Sequence, residues 1–240
     1  MGTPFPAGQS NLAVQRLDPT VREPLERAGK EVDHERGSLL FSRATPLKHV
    51  YFPYSGMISI VVSLTDGSRI ETHTIGREGI VGVPFFQRPR IVGNMEALCQ
   101  MPSRGLRVPV DDFRKLVEES ETLAELTEEF NQLVIGQIAQ SAACNRLHQL
   151  DERLARWLLH AHDRAGSDEL PLTHELLAEM LGVRRETISL ALGSLERAGV
   201  LGHRRGHVSI EDRAGLERVA CECYAVIRAE LDLLLRLEIP

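Results

Sequence analysis

The chain has 240 residues, of which 42% are hydrophobic and 26% charged, a globular composition that supports one or two domains. Its net charge of −6 argues against a generic nucleic-acid binder, which is usually basic overall. No apolar run approaches the ~18–20 residues of a membrane span, so we expect no membrane partner. Residues 1–19 are predicted to be a loose tail, because Met1 to Ser10 lack the basic and apolar regions of a secretory signal.

Residues 20–110 are predicted to form a β jelly-roll sensor domain. Apolar runs at 39–41, 50–52, 57–64 and 70–75 indicate short strands, with turns at 53–56 and 66–68. The Asp66-Gly67 pair is a strong hairpin signal, because glycine accepts a positive φ at little cost. Strands at this spacing are typical of a small barrel or jelly roll.

Residues 111–147 are predicted to be connecting and dimerisation helices. Spacings of three and four alternate along a seam of eight residues: Leu123, Leu126, Phe130, Leu133, Gln137, Gln140, Cys144 and Leu147. The seam fits one face of a core helix packed on the barrel, or the two-fold interface of a homodimer. We favour the homodimer, in which paired glutamines near the axis fix the helix register.

Residues 148–240 are predicted to form a winged helix-turn-helix domain with a C-terminal helix. Thr173 is a good N-cap for a first helix, and Gly182 suits the tight turn before a second. Residues 184–207 contain five arginines and two glutamates, a local positive excess in an acidic chain. Residues 200–210 have the pattern of a two-stranded wing with a basic tip.

These features predict contact with double-stranded DNA. Arginine can bond guanine O6 and N7 together, glutamate can accept from cytosine N4, and hydroxyls favour phosphate oxygens. The alternative is a helical hairpin with a ribbon used only for packing. The predicted DNA-binding residues are Thr173, Arg184, Arg185, Glu186, Thr187, Ser189, Arg204 and Arg205.

Residues 172–201 resemble the winged helix-turn-helix of the Crp–Fnr family of bacterial regulators, including Gly182, Arg185, Glu186 and Thr187. Residues 51–56, 66–67 and 76–82 are similar to that family's cyclic-nucleotide-binding-type jelly roll. The resemblance implies that Arg185 and Glu186 read bases and that Thr173 and Thr187 contact phosphates.

The sequence departs from the cyclic-AMP-binding members of this family at two stretches. Where those members follow their glycine with a ribose-binding Glu, Gly82 precedes Val83, and residues 90–94 lack an Arg–Ser or Arg–Thr pair. A buried cyclic phosphate would then lack a charge-assisted partner. We therefore expect that cyclic AMP is not the effector, and leave open a different ligand or none. Leu190 stands where the cyclic-AMP regulator has another base-reading arginine.

The sequence predicts no metal site, no cofactor and no catalytic residues. The family's iron–sulfur sensors have cysteines near the N-terminus, whereas this chain has none before Cys99, and lone histidines are poor evidence for haem. Cys221-x-Cys223 and His160-x-His162 are spaced too closely for structural zinc, and a helix predicted over 214–238 turns the two cysteines apart. No nucleophile motif or phosphate loop occurs.

The function predicted from the sequence is that of a transcriptional regulator binding a near-palindromic operator as a homodimer, with RNA polymerase open as a partner. Few, scattered cysteines favour a reduced, cytoplasmic location. The alternative is a ligand-sensing or protein-interaction module whose C-terminal domain does not read DNA.

Overall fold

The computed structural model describes residues 8–87 and 93–235. Its N-terminal half is a jelly roll of two antiparallel sheets, ordered β1-β7-β3 and β2-β6-β4-β5. The strands are β1 (Lys30–His34), β2 (Leu39–Phe41), β3 (His49–Pro53), β4 (Met57–Ser63), β5 (Arg69–Ile75), β6 (Met95–Met101) and β7 (Ser103–Pro109). The predicted fold class, a β jelly roll followed by a long helix and a winged helix-turn-helix, is confirmed.

The β4–β5 hairpin forms where the sequence predicts it. Gly67 has a φ of 88°, and the Asp66 carboxylate accepts the backbone N–H of Ser68 at 2.9 Å. β4 is buried along almost its whole length, which explains its nearly continuous apolar sequence. A short 3₁₀-helix, Val83–Phe85, follows Gly82 under the second sheet.

The N-terminal segment is not a loose tail, so that prediction was wrong for residues 11–19. Helices α1 (Leu12–Gln15) and α2 (Pro19–Ala28) precede the first strand. The buried Asn11 side chain caps α1, and its amide donates to the carbonyls of Pro53 at 3.0 Å and Gly79 at 2.8 Å. Because the side chain of one asparagine satisfies backbone groups of both the helix and the barrel, the segment becomes part of the core. Residues 1–7 lie outside the described residues.

The predicted dimer seam is mostly buried within the chain, which contradicts its assignment to a subunit interface. Helix α3 (Val110–Glu119) leads into α4 (Glu121–Leu147), which Ser120 caps. Gln140 is half-buried, and Leu147 is 73% exposed. The six buried members of the seam are Leu123, Leu126, Phe130, Leu133, Gln137 and Cys144. The heptad spacing arises because this face of α4 packs on the barrel and on the C-terminal helix.

The C-terminal segment is two helices rather than the single helix predicted over 214–238. α8 (Arg213–Val219) ends where Ala220 adopts an extended backbone, and α9 (Cys223–Leu234) starts three residues later. Cys221 therefore precedes the helix that contains Cys223, and the helical-spacing argument against a metal site does not apply. Apolar α9 side chains join the α4 core, which removes that face of α4 from solvent.

The helical half begins with α5 (Leu150–Ala165), joined to α4 by only two residues. Trp157 of α5 donates to Glu71 of β5 at 2.9 Å, and the buried Arg164 pairs with the buried Glu78 at 2.5 Å. These contacts fix the helical half against the second sheet of the jelly roll. Among the helices described, none combines the length and apolar character needed to cross a membrane.

Candidate nucleic-acid interface

A helix-turn-helix is built from α6 (His174–Leu181) and α7 (Arg185–Arg197). The Thr173 hydroxyl accepts the backbone N–H of Leu176 at 3.2 Å, so the predicted cap is present. Gly182 ends α6 with a φ of 65°, a conformation that costs glycine little. Leu177 of α6 and Ile188 of α7 are fully buried, and this packing fixes the angle between the helices.

The first turns of α7 present a polar surface to solvent. Arg184 occupies the N-cap position, and Arg185, Glu186, Thr187 and Ser189 are all exposed. Leu190 is 74% exposed and shares this surface. A helix fits the major groove of DNA and places its N-terminal residues against base edges. The structure therefore leaves the predicted base-reading residues accessible to a duplex.

Two residues outside the predicted set, His174 and Glu175, help to position this surface. Glu175 of α6 pairs with Arg185, with 2.8 Å between Oε1 and Nε, and both side chains are more than 60% exposed. His174 Nδ1 lies 2.9 Å from the Ser189 hydroxyl, which also lies 3.2 Å from the carbonyl of Arg185. A pair this exposed contributes little stability, so Arg185 can exchange Glu175 for a base at small cost.

The wing is a three-stranded sheet in the order β8-β10-β9, from β8 (Glu169–Leu170), β9 (Leu201–Arg204) and β10 (His207–Ile210). Arg205 and Gly206 form its two-residue turn, where Gly206 has a φ of 78°. Arg204 Nη2 lies 3.1 Å from the Glu169 carboxylate, and both Arg204 and Arg205 are exposed. The two arginines therefore stand together at the tip of the wing.

A second candidate site is a partly open cavity of about 400 Å³ between the second sheet of the jelly roll and α4. The described lining is largely apolar, with Glu128 and Asn131 of α4 and His73 of β5 as polar members. Val83 is buried where the cyclic-AMP binders have their ribose-binding Glu. The stretch 90–92, which begins the segment lacking an Arg–Ser pair, lies outside the described residues.

Comparison with known families identifies both halves of the chain. Residues 31–120 match the cyclic nucleotide-binding domain, and residues 152–219 match the Crp-like helix-turn-helix domain. The chain belongs to the Crp–Fnr family. This Crp–Fnr chain is also 25% identical over 225 residues to the nitrogen fixation regulation protein FixK of Bradyrhizobium diazoefficiens, covering 88% of the chain and 91% of that protein. It is a transcriptional regulator with a sensor-type jelly roll and a helix-turn-helix.

Solved Crp–Fnr structures share the fold of this regulator at low sequence identity. FixK2 from Bradyrhizobium japonicum superposes with a TM-score of 0.67 at 18% identity, over 80% of this chain and 98% of that one. TTHA1359, a Crp/Fnr-family regulator from Thermus thermophilus, superposes with a TM-score of 0.61 at 21% identity, over 80% of this chain and 98% of that one. These likenesses establish the architecture and leave the effector and the DNA sequence to the residues of this chain.

Proposed function

We propose that this Crp–Fnr regulator binds a near-palindromic operator as a homodimer, reads it through α7, and does not respond to cyclic AMP. The observation that carries the proposal is the accessible first turn of α7, where Arg185 and Glu186 stand exposed above a buried apolar face. The local positive charge of this turn and of the wing offsets the acidic net charge of the chain where DNA would lie.

Three exposed side chains of α7 are suited to base edges. Arg185 can make two hydrogen bonds to guanine, and Glu186 can accept from the cytosine amino group. Leu190 offers an apolar surface for a thymine methyl group. We therefore expect the half-site of this regulator to differ in sequence from that of a regulator with an arginine at the position of Leu190.

The phosphate contacts fall on both sides of α7. The hydroxyl of Thr187 and the charge of Arg184 sit at the helix N-terminus, where backbone N–H groups also favour anions. Thr173 lies at the start of α6, and the exposed Arg204 and Arg205 extend from the wing. Such contacts set register and affinity without sequence information.

The homodimer we propose uses a different face of α4 from the predicted seam. A row with spacings of three and four remains exposed or half-buried, and the most apolar of its exposed members, Ile135, is 67% exposed. The row is Glu128, Asn131, Ile135, Ile138, Ala142 and Asn145. Its spacing is that of a two-stranded coiled coil. A two-fold axis here would place the two α7 helices for a palindrome.

The effector proposal concerns the 400 Å³ cavity. Ile135 and Ile138 line it and also belong to the proposed dimer row, so an occupant would contact the dimer helix directly. A ligand acts only if it favours one arrangement of the two chains over another. The apolar lining and the buried Val83 favour an uncharged ligand over a cyclic nucleotide.

The experiment is selection of binding sites from random duplex DNA with the purified full chain, at stated salt, with and without cyclic AMP. We expect one enriched palindrome, with half-sites about one helical turn apart and the same affinity in both arms. Enrichment only with cyclic AMP would overturn the effector proposal. An absence of enrichment with and without cell extract would favour the module that does not read DNA.

A further inference from the structure

Three cysteines and one histidine from distant parts of the chain meet where α4 ends. Cys144 lies in the last turn of α4, and His148 is the residue that ends it. Cys221 comes from the break between α8 and α9, and Cys223 is the first residue of α9. The four ligand atoms all lie within 4.8 Å of one another, and the three cysteines are buried.

Two of the distances within this cluster match those between ligands of one ion. Zinc bonds sulfur and imidazole nitrogen at about 2.0–2.3 Å, so tetrahedral ligands stand roughly 3.5–3.8 Å apart. The Cys144 and Cys221 sulfurs are 3.5 Å apart, and Cys223 Sγ is 3.5 Å from His148 Nδ1. The thiolates of an iron–sulfur cluster bind several irons and would need wider separation.

Groups behind the cluster are arranged as in known metal sites. His148 Nε2 lies 3.2 Å from the Glu222 carboxylate, which directs Nδ1 toward the cysteines. A carboxylate behind a histidine is the usual outer partner of a metal ligand, and it fixes the tautomer and the ring orientation. The Gln140 amide donates to Cys223 Sγ at 2.9 Å, a contact that suits a thiolate.

We propose that Cys144, His148, Cys221 and Cys223 bind one tetrahedral Zn²⁺-type cation. Three sulfurs and one nitrogen are the ligand set of structural zinc sites, with no position open to substrate.

The cation would join two segments that are far apart in sequence. Cys144 and His148 lie where α4 ends and the connection to α5 begins, and Cys221 and Cys223 lie at the start of α9 or just before it. A bound ion would therefore fix the helix-turn-helix half relative to the proposed dimer helix. Binding free energy at such a site adds to folding stability.

The test uses the full chain without an affinity tag, purified under reducing conditions. We expect about one zinc ion per chain by mass spectrometry of the metals, as in structural Cys₃His sites. Replacing zinc with Co²⁺ should give the absorption bands of a tetrahedral, thiolate-bound ion. Removing the metal with a chelator should lower the Tm by roughly 5 °C or more.

The variants separate ligands from other residues. Cys221→Ser and His148→Gln should abolish stoichiometric binding, and Glu222→Gln should weaken zinc affinity about 10–100-fold, the usual cost of losing an outer partner. Cys99→Ser is the matched control, because Cys99 is also a buried cysteine but lies in β6. It should retain the metal and the Co²⁺ spectrum.

Each other result overturns the proposal. Iron with acid-labile sulfide would show a cluster in place of a single ion. A chain without metal whose Cys144 and Cys221 form a disulfide would show a redox pair. If the protein binds no zinc after incubation with excess Zn²⁺ and all four thiols remain titratable, the three cysteines and His148 do not form a metal site. These results do not depend on whether the chain reads DNA.

Discussion

Two arginine-containing regions of the helical half differ sharply in their surroundings. At the start of α7, Arg184 and Arg185 are exposed, and the Arg185–Glu175 pair lies in water. In α5, Arg164 is buried against Glu78 with both side chains 2% exposed, and it also donates to the carbonyl of His160. The same residue type thus lies on an accessible surface in one region and inside the contact between the two domains in the other.

Exposed and buried arginines differ in how much stability the fold loses when each is removed. A buried charge that loses its partner carries its full desolvation cost, whereas an exposed charge is solvated with or without one. Substitutions in α5 should therefore change stability, and substitutions at the start of α7 should change DNA affinity. Substitutions at four positions test that division: Arg164, Glu71, Arg185 and Thr173.

Breaking the buried pair should have the largest effect. Arg164→Met leaves the Glu78 carboxylate buried with only the Gly76 N–H as a described hydrogen-bond partner, so the free energy of unfolding should fall by about 3–5 kcal/mol. Urea unfolding measures the loss. Arg184→Met, on the exposed surface, is the control and should change stability by at most about 0.5 kcal/mol. A loss below about 1 kcal/mol in Arg164→Met would show that the contact between the domains does not depend on this pair.

The second prediction concerns Glu71, which lies between β5 and α5. Burial raises the pKa of Glu71 to about 7, against the hydrogen bond from Ser59 and the charge of Arg156. The folded state therefore holds this proton more tightly than the unfolded chain does. The stability that Glu71 contributes is full below its ordinary pKa of 4.5 and is lost as the pH rises through about 7.

Comparison with Glu71→Gln isolates this contribution, because groups shared by both proteins cancel in the difference. Between pH 5 and pH 8 the wild type should lose up to about 3 kcal/mol relative to the variant, measured by urea unfolding at each pH. If the difference in unfolding free energy between the wild type and Glu71→Gln does not change with pH, Glu71 titrates at its ordinary pKa.

The third prediction moves to the exposed surface. Arg185→Met should weaken binding to the selected operator by about 1–3 kcal/mol and relax specificity at one base pair, with little change in stability. Fluorescence anisotropy with the operator and with single-base variants measures both effects. Arg197 is exposed at the other end of α7, so Arg197→Met is the control and should lose less affinity for the operator. Equal losses would mean that α7 is not oriented as we propose.

The smallest effect is expected at the start of α6. Thr173→Ala removes the cap on Leu176 and should cost about 1 kcal/mol of unfolding free energy, whereas Thr173→Ser should retain most of it. Thermal or urea unfolding of the two variants compares them directly. If serine and alanine prove equivalent, the hydroxyl does not contribute through capping.

The helix-turn-helix could be predicted because its signals are local. Thr173, Gly182 and the apolar positions of α6 and α7 lie within about one helical hairpin, and each has a direct stereochemical cause. The β4–β5 hairpin was predictable for the same reason, since Asp66-Gly67 determines its own turn. Local signals of this kind can be identified from a single sequence.

Contacts between distant segments were not predictable in this way. The spacing of the α4 seam is the same whether the partner is a second chain or α9, and only the packing of Leu133 and Ile227 in one core decides between them. Cys144 and Cys221 are separated by 77 positions in sequence, so their meeting depends on the whole helical half. Asn11 gave only a weak signal, because one polar residue before a four-residue helix is common in loops.

The sharing of one core by the two ends of the chain has a consequence for synthesis. Ala13, Val14 and Leu17 from the N-terminal segment lie in the same apolar cluster as Ile227, Leu231 and Leu235. A growing polypeptide emerges from the ribosome N-terminal end first, so the jelly roll is exposed before α9 exists to cover α4. Until residue 235 has been made, the apolar face of α4 stays open to water. Products that stop before α9 would keep this apolar face exposed, and exposed apolar surface is what makes incomplete chains prone to aggregation.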